Sequence, residues 1–196
     1  MEYEGEWANG QIEGFGKLTW KKQNNNFYEG YFLNNMLDGN GYMLWKDKLE
    51  KYAGQWKCNK QHGIGVHIWF EDQTTQKLMR TRYIGEWENG KRNGFGIFIY
   101  ANGNKYEGFW KNNKKNGLGR FIFEDGSEYI GRFEDDIMID KNYQIDYESI
   151  DEKLDKLNLL GKKEEAKNKG NLTSKKSMAS KIKRRQSEIS KVQNPK

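Results

Sequence analysis

Cys58, His62 and His67 are the only cysteine and the only two histidines of the chain, and they fall in one short stretch. Thiolates and imidazoles hold structural zinc, but a closed site takes four ligands. Three leave the set incomplete, and a hairpin puts His62 in the bend and His67 on a strand face, so no metal site is expected. The recurring Gly-x-Gly raises a second chemistry, a backbone cradle for phosphate. That cradle needs strand, glycine turn and helix in succession. No helical pattern follows any of these glycines, so no nucleotide cofactor is expected. No nucleophile stands beside a base partner, no catalytic residue is assigned, and the chain reads as a non-enzyme. Arg184, Arg185 and Ser187 match the basophilic kinase pattern Arg-Arg-x-Ser, which makes Ser187 a candidate phosphosite.

The elements that must position these residues follow from a repeat. Tyrosine opens a Tyr-x-Gly-x-aromatic run at Tyr3, Tyr28, Tyr52, Tyr83, Tyr106 and Tyr129. Its glycine is Gly5, Gly30, Gly54, Gly85, Gly108 or Gly131, and its second ring is Trp7, Phe32, Trp56, Trp87, Trp110 or Phe133. The first five runs are followed by Gly-x-Gly, beginning 11 residues after the tyrosine at Gly14, Gly39, Gly63, Gly94 and Gly117 and closing at Gly16, Gly41, Gly65, Gly96 and Gly119. A third ring comes four residues later, at Trp20, Trp45, Trp69, Tyr100 and Phe123. All 7 tryptophans occupy these aromatic slots, so the pattern accounts for the scarcest large side chain.

Alternation with period two is a strand signal, and "ANG" at 8–10 or "ENG" at 88–90 between two such runs is a hairpin signal. Each unit therefore reads as a β-hairpin. Two registers stay open: a tight Asn-Gly loop sets Gly5 opposite Gly14, and a longer loop sets Trp7 there. Either places Tyr3, Gly5, Trp7, Gly14, Gly16, Leu18 and Trp20 on one face, because facing residues of an antiparallel pair share a face. Glu4, Glu6, Lys17 and Thr19 fall on the other, with Phe15 as the exception. A ring lying flat on a sheet needs a neighbour without Cβ, so each glycine reads as a slot for a ring. Hairpins alone are marginal in water, so neighbours must pair edge to edge. Gly103 and Gly126 suit left-handed turn positions between units. The insertion at 71–82, between the third and fourth units, reads as a solvated loop, with a contact site as the alternative. "EDDIMID" after Phe133 reads as a cap on the sheet edge.

Tyr-x-Gly-x-Trp, Asn-Gly and Gly-x-Gly followed by a ring resembles the MORN repeat, with five full repeats and one half repeat. The resemblance implies an all-β fold, an elongated single-layer antiparallel sheet of consecutive hairpins over residues 1–140, used as an interaction scaffold. "YAGQWKCNKQHGIGVHIWF", the insertion, then "YIGEWENGKRNGFGIFIYANG" and "YEGFWKNNKKNGLGRFIFEDGSEYIGRFEDDIM" resemble the radial spoke head 10 homologue B group of ciliary proteins. That closer likeness implies a cytoplasmic, axonemal location and other radial spoke proteins as partners.

Beyond the repeats the composition changes. Ser149 and Glu152 fit a capping box, and Tyr147, Ile150, Leu154 and Leu157 follow a three-four spacing, so a short amphipathic helix is expected within 146–161. Its apolar stripe either packs on the last hairpin, the favoured option, or binds a partner. Residues 162–196 are rich in Lys, Ser and Asn and read as a disordered tail. Residues 144–196 hold 14 Lys or Arg against 8 Asp or Glu, leaving 20 against 20 in 1–143, so the net charge of +6 belongs to the tail. "KIKRRQS" could meet any polyanion, anionic lipid included. The repeats are charge-balanced, so nucleic acid is not an expected partner. No apolar run approaches the ~20 residues of a membrane span, and no secretory signal opens the chain, which therefore reads as intracellular. The expected function is a ciliary scaffold; the alternative is a peripheral membrane or cortical organiser that meets lipid through repeats and tail.

Overall fold

The computed structural model describes residues 1–70, 80–140 and 152–153, all within the first of the chain's two units, Met1–Leu154. Twelve strands follow in chain order: β1 (Glu2–Ala8), β2 (Gln11–Trp20), β3 (Asn26–Leu33), β4 (Met36–Trp45), β5 (Glu50–Lys57), β6 (Lys60–Trp69), β7 (Arg82–Glu88), β8 (Lys91–Ile99), β9 (Lys105–Lys111), β10 (Lys114–Ile122), β11 (Glu128–Glu134) and β12 (Ile137–Asp140). They form a single antiparallel sheet in which every strand pairs only with its neighbours in sequence. The fold is all-β, a layer of consecutive hairpins. The half repeat closes a hairpin of its own, because β12 pairs with β11 and occupies its outer edge.

The hairpin turns are uniform. The two linking residues are Asn9-Gly10, Asn34-Asn35, Cys58-Asn59, Asn89-Gly90, Asn112-Asn113 and Asp135-Asp136, and all twelve have positive φ. Two left-handed residues make the turn whose twist matches the strands it joins. Asn and Asp tolerate that conformation through their short polar side chains, and Cys58 is the one residue outside the usual set.

Neither register expected from the sequence is the one formed. The tight turn pairs Trp7 with Ile12, yet Gly5 pairs with Gly16, so β2 has gained two residues relative to β1. The excess is absorbed at Gly14, whose φ of 77° is left-handed. The same shift recurs in the following hairpins, with Gly39, Gly63, Gly94 and Gly117 all left-handed. These five are bulge residues and not ring slots: a Cβ on Gly117 would meet Phe109, on the face opposite the repeat rings. Glycine serves there because a left-handed conformation costs it nothing. The second glycine is the ring slot.

Successive repeats are clasped at the turn end of their strands. Asn35 Oδ1 accepts from Ile12 N at 2.8 Å while Asn35 N donates to Ile12 O at 3.1 Å. Asn59 clasps Leu37, Asn113 clasps Arg92 and Asp136 clasps Lys115 in the same two-bond manner. At the other end Asn26 Oδ1 accepts from Lys46 N, and Asn104 Oδ1 from Glu124 N. The turn clasps therefore satisfy backbone groups of the preceding repeat, which couples neighbours beyond the ladder itself.

Residues 71–79 of the insertion, nearly all of the expected helix, the 162–196 tail and Ser187 lie outside the described residues. Glu152 and Lys153 are helical.

Candidate functional site

One face of the sheet carries the rings. Eleven glycines stand in register across β1 to β11: 5, 16, 30, 41, 54, 65, 85, 96, 108, 119 and 131. Each tyrosine ring lies over this bare backbone. A Cβ on Gly108 would stand 2.5 Å from Tyr106 Oη and 2.6 Å from Gly119 Cα, closer than atoms can approach. Tyr28, Tyr52, Tyr83 and Tyr106 are fully buried as a result. Their hydroxyls donate to the carbonyl three residues on, at 2.9–3.0 Å, which settles the polar tip in place. Desolvation by burial is the leading cause that pushes the pKa of Tyr28, Tyr83 and Tyr106 upward.

From the second repeat on, the second ring of each repeat stands edge-on between two tyrosines. Trp56 meets Tyr52 of its own repeat at 5.1 Å and Tyr28 of the previous one at 5.5 Å, both T-shaped. Phe32, Trp87, Trp110 and Phe133 make the same two contacts. Edge-to-face pairs of this kind contribute about 0.5–1.5 kcal/mol each beyond area burial. The ring face is thus a stack of interlocked aromatics one residue deep.

Four polar side chains interrupt it: Gln61, His67, Arg92 and Lys115. His67 occupies the position filled by Leu18, Met43, Phe98 and Phe121 in the other repeats. It lies flat against Trp69, centroids 4.1 Å apart, with Trp45 on its other side at 5.7 Å. Its Nε2 lies 3.2 Å from Glu50 Oε2 and its Nδ1 3.4 Å from Gln61 Nε2. Desolvation, then the charge of Arg92, lowers its pKa to about 4, so the ring is neutral near pH 7. Contact with Glu50 is then a hydrogen bond donated by Nε2–H, and Nδ1 accepts from Gln61. Desolvation also raises the Glu50 pKa. Arg92 and Lys115 occupy the slot of Ile12 and Leu37. The Arg92 guanidinium lies 4.3 Å from the Trp110 centroid and donates to Asn113 O at 2.8 Å. Lys115 Nζ lies 5.3 Å from the Phe121 centroid and donates to Tyr100 Oη. Cations over ring faces are held by the ring quadrupole. The third rings, Trp20, Trp45, Trp69 and Tyr100, form a half-buried margin against this core.

The three candidate zinc ligands fall in different places. Cys58 is exposed in the β5–β6 turn, and His62 stands in strand β6 opposite Gln55, not in the bend. The tight two-residue turn is what moves His62 into the ladder. His67 has both nitrogens engaged on the ring face, and no cluster of metal-ligating side chains occurs among the described residues.

The opposite face is more apolar than its Glu and Lys suggest. Phe95 and Ile97 are buried there, outside the ring-face core, and Glu107 is buried with Lys105 and Arg120 as ion-pair partners. Phe15 and Tyr31, by contrast, are exposed. The position nine residues after each tyrosine, apolar at Ile12, Leu37 and Met138 and polar at Gln61, Arg92 and Lys115, was the sequence signal for the polar inserts other than His67. It goes unnoticed unless the repeats are aligned slot by slot.

Compared with known families, the sequence matches the MORN repeat at residues 3–24, 28–49, 52–71, 83–105 and 106–128. No curated protein matches it. The five matched segments span more than half of the chain, and each begins within two residues of the start of a hairpin, so the chain belongs to the MORN repeat family.

Proposed function

We propose that this MORN repeat scaffold is a structural component of the ciliary axoneme, within a radial spoke, holding other spoke proteins along its sheet. One observation carries the scaffolding role: every pair of successive repeats is locked by a T-shaped ring contact spanning two hairpins. A layer locked in this way holds bound partners at fixed spacing, as a spoke requires. The order of the repeats, with the insertion after the third, supports the ciliary assignment through its likeness to spoke head proteins.

The test is retention. Full chain and a form ending at Gly161 are expressed in ciliated cells, which are then extracted with detergent in moderate salt. Contacts made by a locked sheet survive screening that shortens electrostatic reach to about 8–10 Å. Both forms are expected with the axonemes. If both go wholly into the detergent-soluble fraction, the axonemal scaffold is wrong and a membrane or cortical organiser takes its place.

A further inference from the structure

Two cations stand on the ring face with no acid paired to them. Arg92 and Lys115 hold the same slot of successive repeats, both half-buried, where the first two repeats have Ile12 and Leu37. Burial lowers the Arg92 pKa, with desolvation the leading cause, and the guanidinium stays charged. On the opposite face Lys105 and Arg120, also half-buried, converge on the buried carboxylate of Glu107. Among the described residues no carboxylate lies within ion-pair distance of Arg92 or Lys115. Asp136 acts on Arg92 through space, and its Oδ1 accepts from Lys115 N at 2.9 Å.

Both cations keep donors to spare. Arg92 donates to Asn113 O and Lys115 to Tyr100 Oη, a carbonyl and a hydroxyl. Guanidinium and ammonium groups each carry more N–H bonds than one acceptor uses. None of the buried, unpartnered side-chain nitrogens of the described residues belongs to either one, so the unused donors reach solvent. Rings join the two positions. The Arg92 guanidinium lies 5.2 Å from the Phe98 centroid and Lys115 Nζ lies 5.3 Å from that of Phe121, while Tyr100 packs against both rings at 4.5 and 5.9 Å. The result is one patch, cationic at two points and apolar between them. A half-desolvated cation without a counter-ion is costly, and ring quadrupoles offset only part of that cost.

We propose that Arg92, Tyr100 and Lys115 form a docking site for an acidic segment of a partner protein, whose carboxylates meet the two cations and whose apolar side chains cover Tyr100. The site rests on the scaffold reading above and gives one partner its chemistry. Arg92 takes a carboxylate through its remaining N–H groups, and Lys115 acts as a point charge. An anionic membrane is the poorer match: attraction to its surface takes clusters of about four to eight basic residues, and residues 1–143 carry 20 basic against 20 acidic side chains.

The test uses the full purified chain and a fluorescein-labelled amphipathic peptide of leucine and glutamate, read by anisotropy at physiological ionic strength. Arg92→Leu and Lys115→Leu are each expected to weaken binding about five- to tenfold, between the ranges for exposed and buried charge pairs. Lys114→Leu removes the same charge one residue away, where Lys114 pairs with Asp135 in an exposed ion pair, and is expected to bind as the parent does. That control separates the site from the basic residues of 144–196, which attract any acidic peptide. Should a leucine variant fail to fold, carbodiimide coupling of the parent decides: a peptide glutamate joined to Lys115 supports the site, and coupling confined to other lysines overturns it. Equal binding by the parent, Arg92→Leu and Lys115→Leu, or equal weakening by Lys114→Leu, also overturns it. So does a loss of binding to phosphatidylserine vesicles on the two substitutions with the peptide unaffected, which makes the patch a membrane contact. Only purified components enter, so failure here is separate from failure of axonemal retention.

Discussion

Acid should loosen this sheet at one residue, His67. Its ring is neutral and enclosed by Trp45, Trp69 and Trp87, with a folded pKa of about 4 against an ordinary 6.5. A histidine whose folded pKa lies below its unfolded value stabilises the fold fully above the unfolded pKa. That contribution drains away as pH falls from 6.5 toward 4, because the unfolded chain takes up the proton first. Linkage over this interval puts the loss at about 2 kcal/mol between pH 7.5 and pH 5. For a domain of this size that corresponds to roughly 4–8 °C in Tm. Glu50 acts in the opposite sense, since its raised pKa favours the protonated folded form, and offsets part of the loss. His67→Phe isolates the histidine. Phenylalanine fills the equivalent place at Phe98 and Phe121, and Glu50 stays in both proteins but loses the hydrogen bond from His67 in the variant. Urea unfolding followed by tryptophan fluorescence at the two pH values measures this directly, because three tryptophans report on the site. The parent should lose about 2 kcal/mol more than His67→Phe on acidification. Equal losses would refute the assignment of a neutral, desolvated histidine.

Gly108→Val should lower stability by about 1–3 kcal/mol through overpacking, since even its Cβ collides with Tyr106 and Gly119; Ser127→Ala, in an exposed turn, should change the melting temperature little. Gly90 is the one turn residue from Asn35 onward that lacks a side chain to clasp the preceding repeat, although its amide still donates to Gln61 O at 2.9 Å. Gly90→Asn should add a bond to Gln61 N–H and raise stability by about 0.5–1.5 kcal/mol, measurable as a higher urea midpoint. Arg92→Leu, which restores the residue of the second repeat, should leave stability within about 1 kcal/mol because relief from desolvation offsets the lost contacts. It should also shrink the acid sensitivity of His67, since the Arg92 charge is the second cause of that lowered pKa.

Much of the architecture was legible because side-chain alternation has only one period in a strand. Tyr3, Gly5 and Trp7 could share a face in no other way, and six copies of the pattern left the all-β hairpin layer as the only economical fold. The residues of the turns were also within reach, since Asn34-Asn35, Asn112-Asn113 and Asp135-Asp136 stand at the same distance from their tyrosines as Asn9-Gly10. Register was not within reach. Gly14 and Gly16 are the same residue type two positions apart, and nothing local tells a left-handed bulge from a flat slot under a ring. That distinction was made by the close approach of two strands, which forces Gly5 against Gly16 once Tyr3 lies over both. Tertiary structure also decided the state of His67. Its charge depends on how much water the neighbouring repeats exclude, and a repeat cannot specify that alone. Which Phe on the opposite face is covered was likewise decided by distance in space, where Lys153 meets Phe109 across 44 positions of sequence.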